Sequence, residues 1–209
     1  MTPSASESFA RQIVDRIAAH PRRRLLGITG PPGTGKSTVC ALVARGLDER
    51  GIEVAGIVPM DGFHLSNAVL HALGRADRKG APDTFDVDGY CEILRRVRRA
   101  EGTVFAPEYR RDMHEPIAAS VAIAPRGIVL TEGNYLGVDL PRWRDVRGLL
   151  DELVFIDTDR TELVRRLVER HKQHGRRTDE AAHWVRTVDS DNIDLVCAAA
   201  GRADFTVRA

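Results

Sequence analysis

Short apolar runs alternate along the chain with stretches in which apolar residues recur every three or four positions. Ser4 to Glu7 reads Ser-x-x-Glu, and Phe9, Ile13 and Ile17 follow at helical spacing, so an amphipathic helix is predicted over about residues 6–19, ended by Pro21. Leu25-Leu26-Gly27-Ile28-Thr29, with a glycine-rich turn behind it, has the make-up of a buried parallel strand. A second helix is predicted over 37–50, with Val39, Leu42, Val43 and Leu47 on one face and Gly51 ending it. Residues 52–58 form the next strand, running into Pro59-Met60-Asp61-Gly62.

Further on, 65–73 has the spacing of a short helix, and the polar, Gly- and Pro-containing stretch 74–85 reads as a loop. Asp86 is placed to cap a helix running to about Ala100, burying Tyr90, Ile93, Leu94 and Val97. Residues 103–124 hold short extended pieces. Strands follow at 127–130 and 153–156, ending at Glu132 and Asp157, then a strongly charged helix over 161–174, a last helix over 192–200 and an edge strand at 205–207. Strands and helices alternate throughout, which calls for an α/β sandwich around a mostly parallel sheet. No repeat or linker divides the chain, so residues 1–209 are expected to form a single domain.

Composition narrows the function. Thirty-one Lys+Arg against 30 Asp+Glu give a net charge of +1, which argues against a chain built to coat nucleic acid or an acidic membrane. Cys40, Cys91 and Cys197 form no paired motif. The start of the chain lacks the basic and apolar segments of a secretory signal. A cytoplasmic protein with no membrane span is expected.

The segment Gly30-Pro31-Pro32-Gly33-Thr34-Gly35-Lys36-Ser37 matches G-x-x-x-x-G-K-[ST] at every fixed position, between a predicted strand and a predicted helix. Gly30, Gly33 and Gly35 let the backbone turn with N–H groups facing inward, making a nest for phosphate oxygens to which the helix N-terminus adds its dipole. Lys36 is expected on the β- and γ-phosphates and Ser37 on Mg²⁺, with Thr34 and Thr38 beside the nucleotide. The chain has only three lysines, Lys36, Lys79 and Lys172, and neither of the others sits in a guanine-reading Asn-Lys-x-Asp. That weakens a GTPase assignment.

Three acids lie at strand ends, where a parallel sheet opens onto its ligand crevice. Asp61 is a candidate base for a substrate hydroxyl, Glu132 a candidate Mg²⁺-side carboxylate, and Asp157 the rival for that place or else a helix cap.

GPPGTGKST, MDGFHL, RKGAPDTFD, VLTEGNYL and the Arg-rich helix, in that order, resemble the phosphoribulokinase/uridine kinase superfamily of P-loop kinases. The likeness is nearest to its bacterial pantothenate-kinase-like branch, which includes sugar kinases associated with fructose transport, and it runs over about residues 25–192. The resemblance implies a three-layer α/β/α P-loop kinase fold with a mostly parallel sheet and a mobile helical lid near 161–180. It implies ATP and Mg²⁺ as cofactors, with Asp61 accepting the substrate proton, Glu132 on the Mg²⁺ side, and Arg170 contacting the transferred phosphoryl group. Arg166, one turn before Arg170 on the same face, is a second lid candidate for the nucleotide. Without an anion between them this pair is mildly unfavourable.

For the acceptor, Lys79, Asp83 and Phe85 lie in one segment that the family uses near its substrate, and Tyr109, Arg110 and Arg111 in another; His64 follows Asp61 by three residues. The expected acceptor contacts are Asp61, His64, Lys79, Phe85, Tyr109 and Arg110. The histidines 64, 71, 114, 171 and 174 have no tight metal spacing, which disfavours zinc. The sequence thus points to a kinase that phosphorylates a hydroxyl of a small metabolite, a sugar, pantothenate-like or nucleoside acceptor. A homodimer is left open and no nucleic-acid partner is expected. The alternatives are a nucleotide-binding regulator without catalysis and, further off, a GTPase that assists metal insertion.

Overall fold

The apolar runs of the sequence become the strands β1 (Leu25–Thr29), β2 (Val54–Pro59), β3 (Val104–Arg110), β4 (Glu115–Ile123), β5 (Ile128–Gly133), β6 (Glu152–Asp157) and β7 (Phe205–Arg208) in the computed structural model, which describes residues 4–19, 25–173 and 175–208. The helices are α1 (Ala5–Ala18), α2 (Lys36–Asp48), α3 (Asn67–Ala72), α4 (Val87–Arg99), α5 (Trp143–Leu149), α6 (Arg160–Gln173), α7 (Thr178–Trp184) and α8 (Ser190–Ala198). Pro21 and His174 lie outside the described residues.

Five strands form one parallel sheet in the order β2-β5-β1-β6-β7. Successive side chains of its inner strands point to opposite faces, so apolar runs without alternation are buried twice. Leu26, Ile28, Leu130, Val154 and Ile156 pack under α1 and α2 against Phe9, Ile13, Val39 and Val43. Leu25, Val129, Leu153 and Phe155 pack on the other side, with Tyr90, Leu94, Trp143 and Val146 of α4 and α5. Three layers result.

The capping box at Ser4 and Glu7 forms as predicted, and the Asp86 carboxylate accepts from Gly89 N at the start of α4. The extended pieces at 103–124 are a two-stranded antiparallel hairpin, β3-β4, whose register shifts between Ala106 and Glu108, around Pro107, which has no N–H to donate. Three elements escaped prediction: α5, α7 and a π-helix that follows α7. α5 buries only Trp143 and Val146, too few positions to show a period. Between α7 and α8, residues Val185–Asp189 wind as a π-helix, with a period that amphipathic spacing does not reveal.

Leu163, Leu167, Val185 and Ile193 form a small apolar cluster of their own, apart from the two faces of the sheet. The helices over the phosphate loop are thus cored separately from the body. Among the described residues no helix is long and apolar enough to cross a membrane.

Candidate active site

The loop between β1 and α2 has the shape that its glycines permit. Gly33 and Gly35 adopt φ of +86° and +88°, a region in which a side chain is strained, and α2 starts at Lys36. The Thr34 N–H and hydroxyl both donate to the Pro31 carbonyl. Lys36 Nζ donates to the same oxygen at 3.0 Å. Its ammonium is buried, and desolvation lowers its pKa to about 8 against the pull of Glu132 and Asp61.

Strand register then gathers the acids. Glu132 on β5 lies beside Ile28 of β1 and Pro59 of β2. Two residues past Pro59, Asp61 enters a single 3₁₀ turn, Met60–Phe63, rather than the strand itself. A Cβ on the next residue, Gly62, would stand 2.2 Å from the Pro107 carbonyl oxygen, so glycine there is what lets the hairpin close onto the turn that carries Asp61. Ser37 Oγ donates to Glu132 Oε1 at 2.9 Å. Burial, followed by the charge of Asp61, raises the Glu132 carboxyl to about pKa 7.

Asp157 takes neither of its anticipated places. Its Oδ2 accepts from Arg208 Nε at 2.8 Å, away from the lining of the crevice. The cap of α6 is Asp159, whose Oδ1 accepts from the amides of Thr161 and Glu162 at 2.8 and 3.4 Å. A carboxylate two residues further on does the local work expected of the strand-end acid.

Lys36, Ser37, Asp61 and Glu132 face a cavity of about 640 Å³ that also reaches Gly33, Gly35, Thr38, His64, Lys79, Phe85 and Tyr109. Gly30 and Thr34, expected beside the nucleotide, are not among its lining residues: Gly30 lies close to the Ile156 carbonyl and the Thr34 side chain turns back onto Pro31. The His64 ring lies 4.0 Å from that of Phe85 and 4.8 Å from that of Tyr109, centroid to centroid. Its Nδ1 donates to the Asp61 carbonyl at 2.7 Å, and burial holds its pKa below the usual histidine value. A neutral imidazole with a free Nε2 lone pair results. Lys79 Nζ donates to Asn67 Oδ1 at 2.6 Å and to the His114 carbonyl at 2.7 Å, so it locks the hairpin tip to α3 while bordering the cavity.

The structure does not bring Arg110 here. It pairs with Asp112 in solvent through bonds of 2.9 and 2.7 Å. The cavity receives its neighbour Arg111 instead.

Arg166 and Arg170 project from α6 into the same cavity, and Arg166 also reaches the Thr34 carbonyl at 3.4 Å. The repulsion expected between them is offset by a residue that the spacing count omitted: Glu162 Oε1 accepts from Arg166 Nε at 2.6 Å and its carboxylate also binds Arg165. Partial burial and the charge of Arg111 lower the Arg170 pKa from its ordinary value. Arg176 stacks over the Trp184 ring at 3.7 Å.

Sequence reasoning passed over Tyr135 and Asn192. The Tyr135 hydroxyl donates to the Gly80 carbonyl at 2.5 Å and meets Asn192 Oδ1 at 2.9 Å, joining the acceptor-side loop to α8. Tyr135 stands next to Asn134 in the EGNYL motif, the one signal that marked this place.

A family model described as the phosphoribulokinase/uridine kinase family matches residues 25–209. A crystal structure of a "putative fructose transport system kinase" from Silicibacter sp. TM1040 superposes with a TM-score of 0.86 at 32% identity, covering 98% of this chain and 100% of that one. A "putative uridine kinase" of Schizosaccharomyces pombe is 32% identical over 199 residues, 92% of this chain and 84% of the relative. A uridine kinase of Clostridium botulinum is 29% identical over 166 residues, 78% and 77% of the two chains.

Proposed function

Since the chain belongs to the phosphoribulokinase/uridine kinase family, of small-molecule P-loop kinases, we propose that it transfers the γ-phosphoryl group of ATP to a hydroxyl of a small sugar-, pantothenate- or nucleoside-like acceptor. The observation that carries the proposal is the convergence of Lys36, Ser37, Asp61 and Glu132 on one cavity. A regulator that merely holds nucleotide has no need of a carboxylate placed between the phosphate loop and an aromatic-lined recess.

Asp61 accepts the proton of the attacking hydroxyl. His64, bonded to the Asp61 carbonyl, fixes the backbone of the turn that aims it. Lys36 leaves the Pro31 carbonyl for the phosphate oxygens, while Arg166 and Arg170 bring positive charge from α6 to the transferred group. Ser37 and Glu132, a hydroxyl and a carboxylate 2.9 Å apart, are a donor set suited to Mg²⁺. A Mg²⁺ ion held by these two side chains would supply positive charge against the phosphate oxygens. The α6 segment, lying over Gly33 through Leu163 and Leu167, excludes water from the transfer. ADP release measured across a panel of hydroxyl acceptors tests the proposal; no acceptor-dependent release from any of them would reject it.

Two further results are expected. Glu132→Gln raises the Mg²⁺ concentration needed for half-maximal activity, and Asp157→Asn leaves it unchanged. Because the Glu132 carboxyl titrates near 7, protons compete with the metal as pH falls, so the wild-type Mg²⁺ requirement rises between pH 8 and pH 6. Metal titrations at both pH values check this, and the reverse ranking of the two variants would exchange the roles.

Hydrogen exchange across residues 161–177 is expected to slow when a non-hydrolysable ATP analogue and Mg²⁺ are added, since α6 is held by a small apolar cluster separate from the main core. Arg170→Ala then lowers the transfer rate more than nucleotide affinity, its charge being needed most where negative charge develops. Unchanged exchange with a fully active Arg170→Ala would make the segment a solvated face.

A further inference from the structure

Arg111 is the least explained cation of the site. It follows directly on β3, and it lines both the main cavity and a second one of about 440 Å³ beneath the hairpin. The two cavities share Ser37, Asp61, Tyr109, Arg111 and Glu132, so Arg111 stands on the wall between them, beside the proposed base. Its neighbour Arg110 has a bidentate carboxylate partner in Asp112, whereas Arg111 makes no hydrogen bond or ion pair among the described residues.

Charge balance sharpens the question. Six cationic side chains and three carboxylates line the main cavity. The triphosphate accounts for Lys36 and Arg170, and Arg166 is matched by Glu162. Lys79 is held by two neutral oxygens in a structural lock, and Arg176 stacks on Trp184. Arg111 is left on the acceptor side, near enough to Arg170 for its charge to depress that guanidinium's pKa. Arg111 is exposed at the cavity wall, and its charge is felt by Glu132 as well as by Arg170, yet it closes no hydrogen bond with either neighbouring carboxylate. A planar, always charged guanidinium held there without a fixed partner is set up for a carboxylate or phosphate.

We infer that Arg111 determines acceptor specificity by pairing with an anionic group, a carboxylate or a phosphate monoester, on the molecule that receives the phosphoryl group. The inference rests on the proposed kinase activity. It adds that the acceptor carries negative charge at a distance from its reacting hydroxyl.

The test uses matched acceptors: glycerol, glycerate and glycerol phosphate, and a pentitol, its pentonic acid and its phosphate. ADP release is followed with the wild type, Arg111→Gln and Arg111→Lys. The anionic members are expected to be preferred, and Arg111→Gln to raise KM for them ~10-fold or more with a smaller change in kcat, the loss typical of one charge-assisted contact. The neutral members should lose far less than the anionic ones, any loss common to both reflecting the place of Arg111 beside Asp61 and Arg170. Arg111→Lys should recover the phosphate ester better than the carboxylate, because a point charge suits phosphate whereas the carboxylate uses the planar fork. If the carboxylate is instead recovered equally or neither anion is preferred, the assignment falls.

Calorimetric titration of glycerate and glycerol phosphate into protein saturated with Mg·ADP separates the two ideas. Anion binding that depends on Arg111 without any acceptor-dependent ADP release would keep the anion site and reject the kinase. Turnover of neutral acceptors alone, insensitive to Arg111→Gln, would keep the kinase and overturn the anion site. No anion binding, or binding equal in wild type and Arg111→Gln, also overturns it. Unchanged Mg·ADP affinity in each variant verifies that the fold is intact.

Discussion

Asp61→Asn is expected to bind Mg·ATP with near wild-type affinity and to transfer the phosphoryl group at least ~10²-fold more slowly, the lower end for loss of a positioned base. Asparagine keeps the volume and one oxygen, so the 3₁₀ turn and the Gly62–Pro107 approach survive the change. What disappears is a proton acceptor in a cavity that also contains the phosphate loop. Removing this negative charge also lowers the Glu132 carboxyl's pKa, since Asp61 is the second cause of its rise. The Mg²⁺ requirement of Asp61→Asn should therefore not increase at pH 7. Single-turnover rates with the true acceptor check the first outcome, and near-normal turnover would place the base elsewhere.

Lys36→Ala is expected to lose ~10²-fold in ATP affinity, on the scale of one or two charge-assisted hydrogen bonds, and nearly all activity. The wild-type ammonium has a pKa of about 8, lowered first by desolvation. Phosphate oxygens favour its charged form, so at pH 8 nucleotide binding should draw protons from solution. Calorimetry in two buffers of different ionisation enthalpy measures that uptake, which should vanish in Lys36→Ala. Unaltered ATP affinity in the variant would remove Lys36 from the phosphate site.

The parts of this molecule that were legible in the sequence are those where one physical rule acts alone. Buried parallel strands carry unbroken apolar runs, and β1, β5 and β6 were readable from Leu25, Ile128 and Leu153 onward. The phosphate loop was readable because a backbone nest demands Gly33 and Gly35. The strand-end acids followed from the direction of a parallel sheet. Side-chain aim was not legible: Arg110 and Arg111 are adjacent and chemically alike, and only the hairpin's bulge and twist decide which faces the cavity. Asp157 and Asp159 posed the same difficulty, since either could cap α6 until Arg208 claimed the first. Long-range pairs such as Tyr135 with Gly80 and Asn192 have no local pattern at all.

The sheet's two borders carry a consequence for self-association. At one, Gln12 of α1 donates to the Arg208 carbonyl at 3.2 Å, and Arg16 stacks on Phe205, so the four-residue β7 is engaged from the side. At the other, the residue after the hairpin reaches across: Ala124 N donates to the Ala55 carbonyl of β2 at 2.9 Å, and Ile123 shares the core with Ala55 and Val58. Neither border presents a long bare ladder on which a second copy could add its strand, the route by which exposed edges drive aggregation. Strand addition at the borders of the five-stranded sheet is therefore obstructed. What remains for contact between copies are helical faces and the outer side of the hairpin, where Phe105 and Met113 stand in solvent.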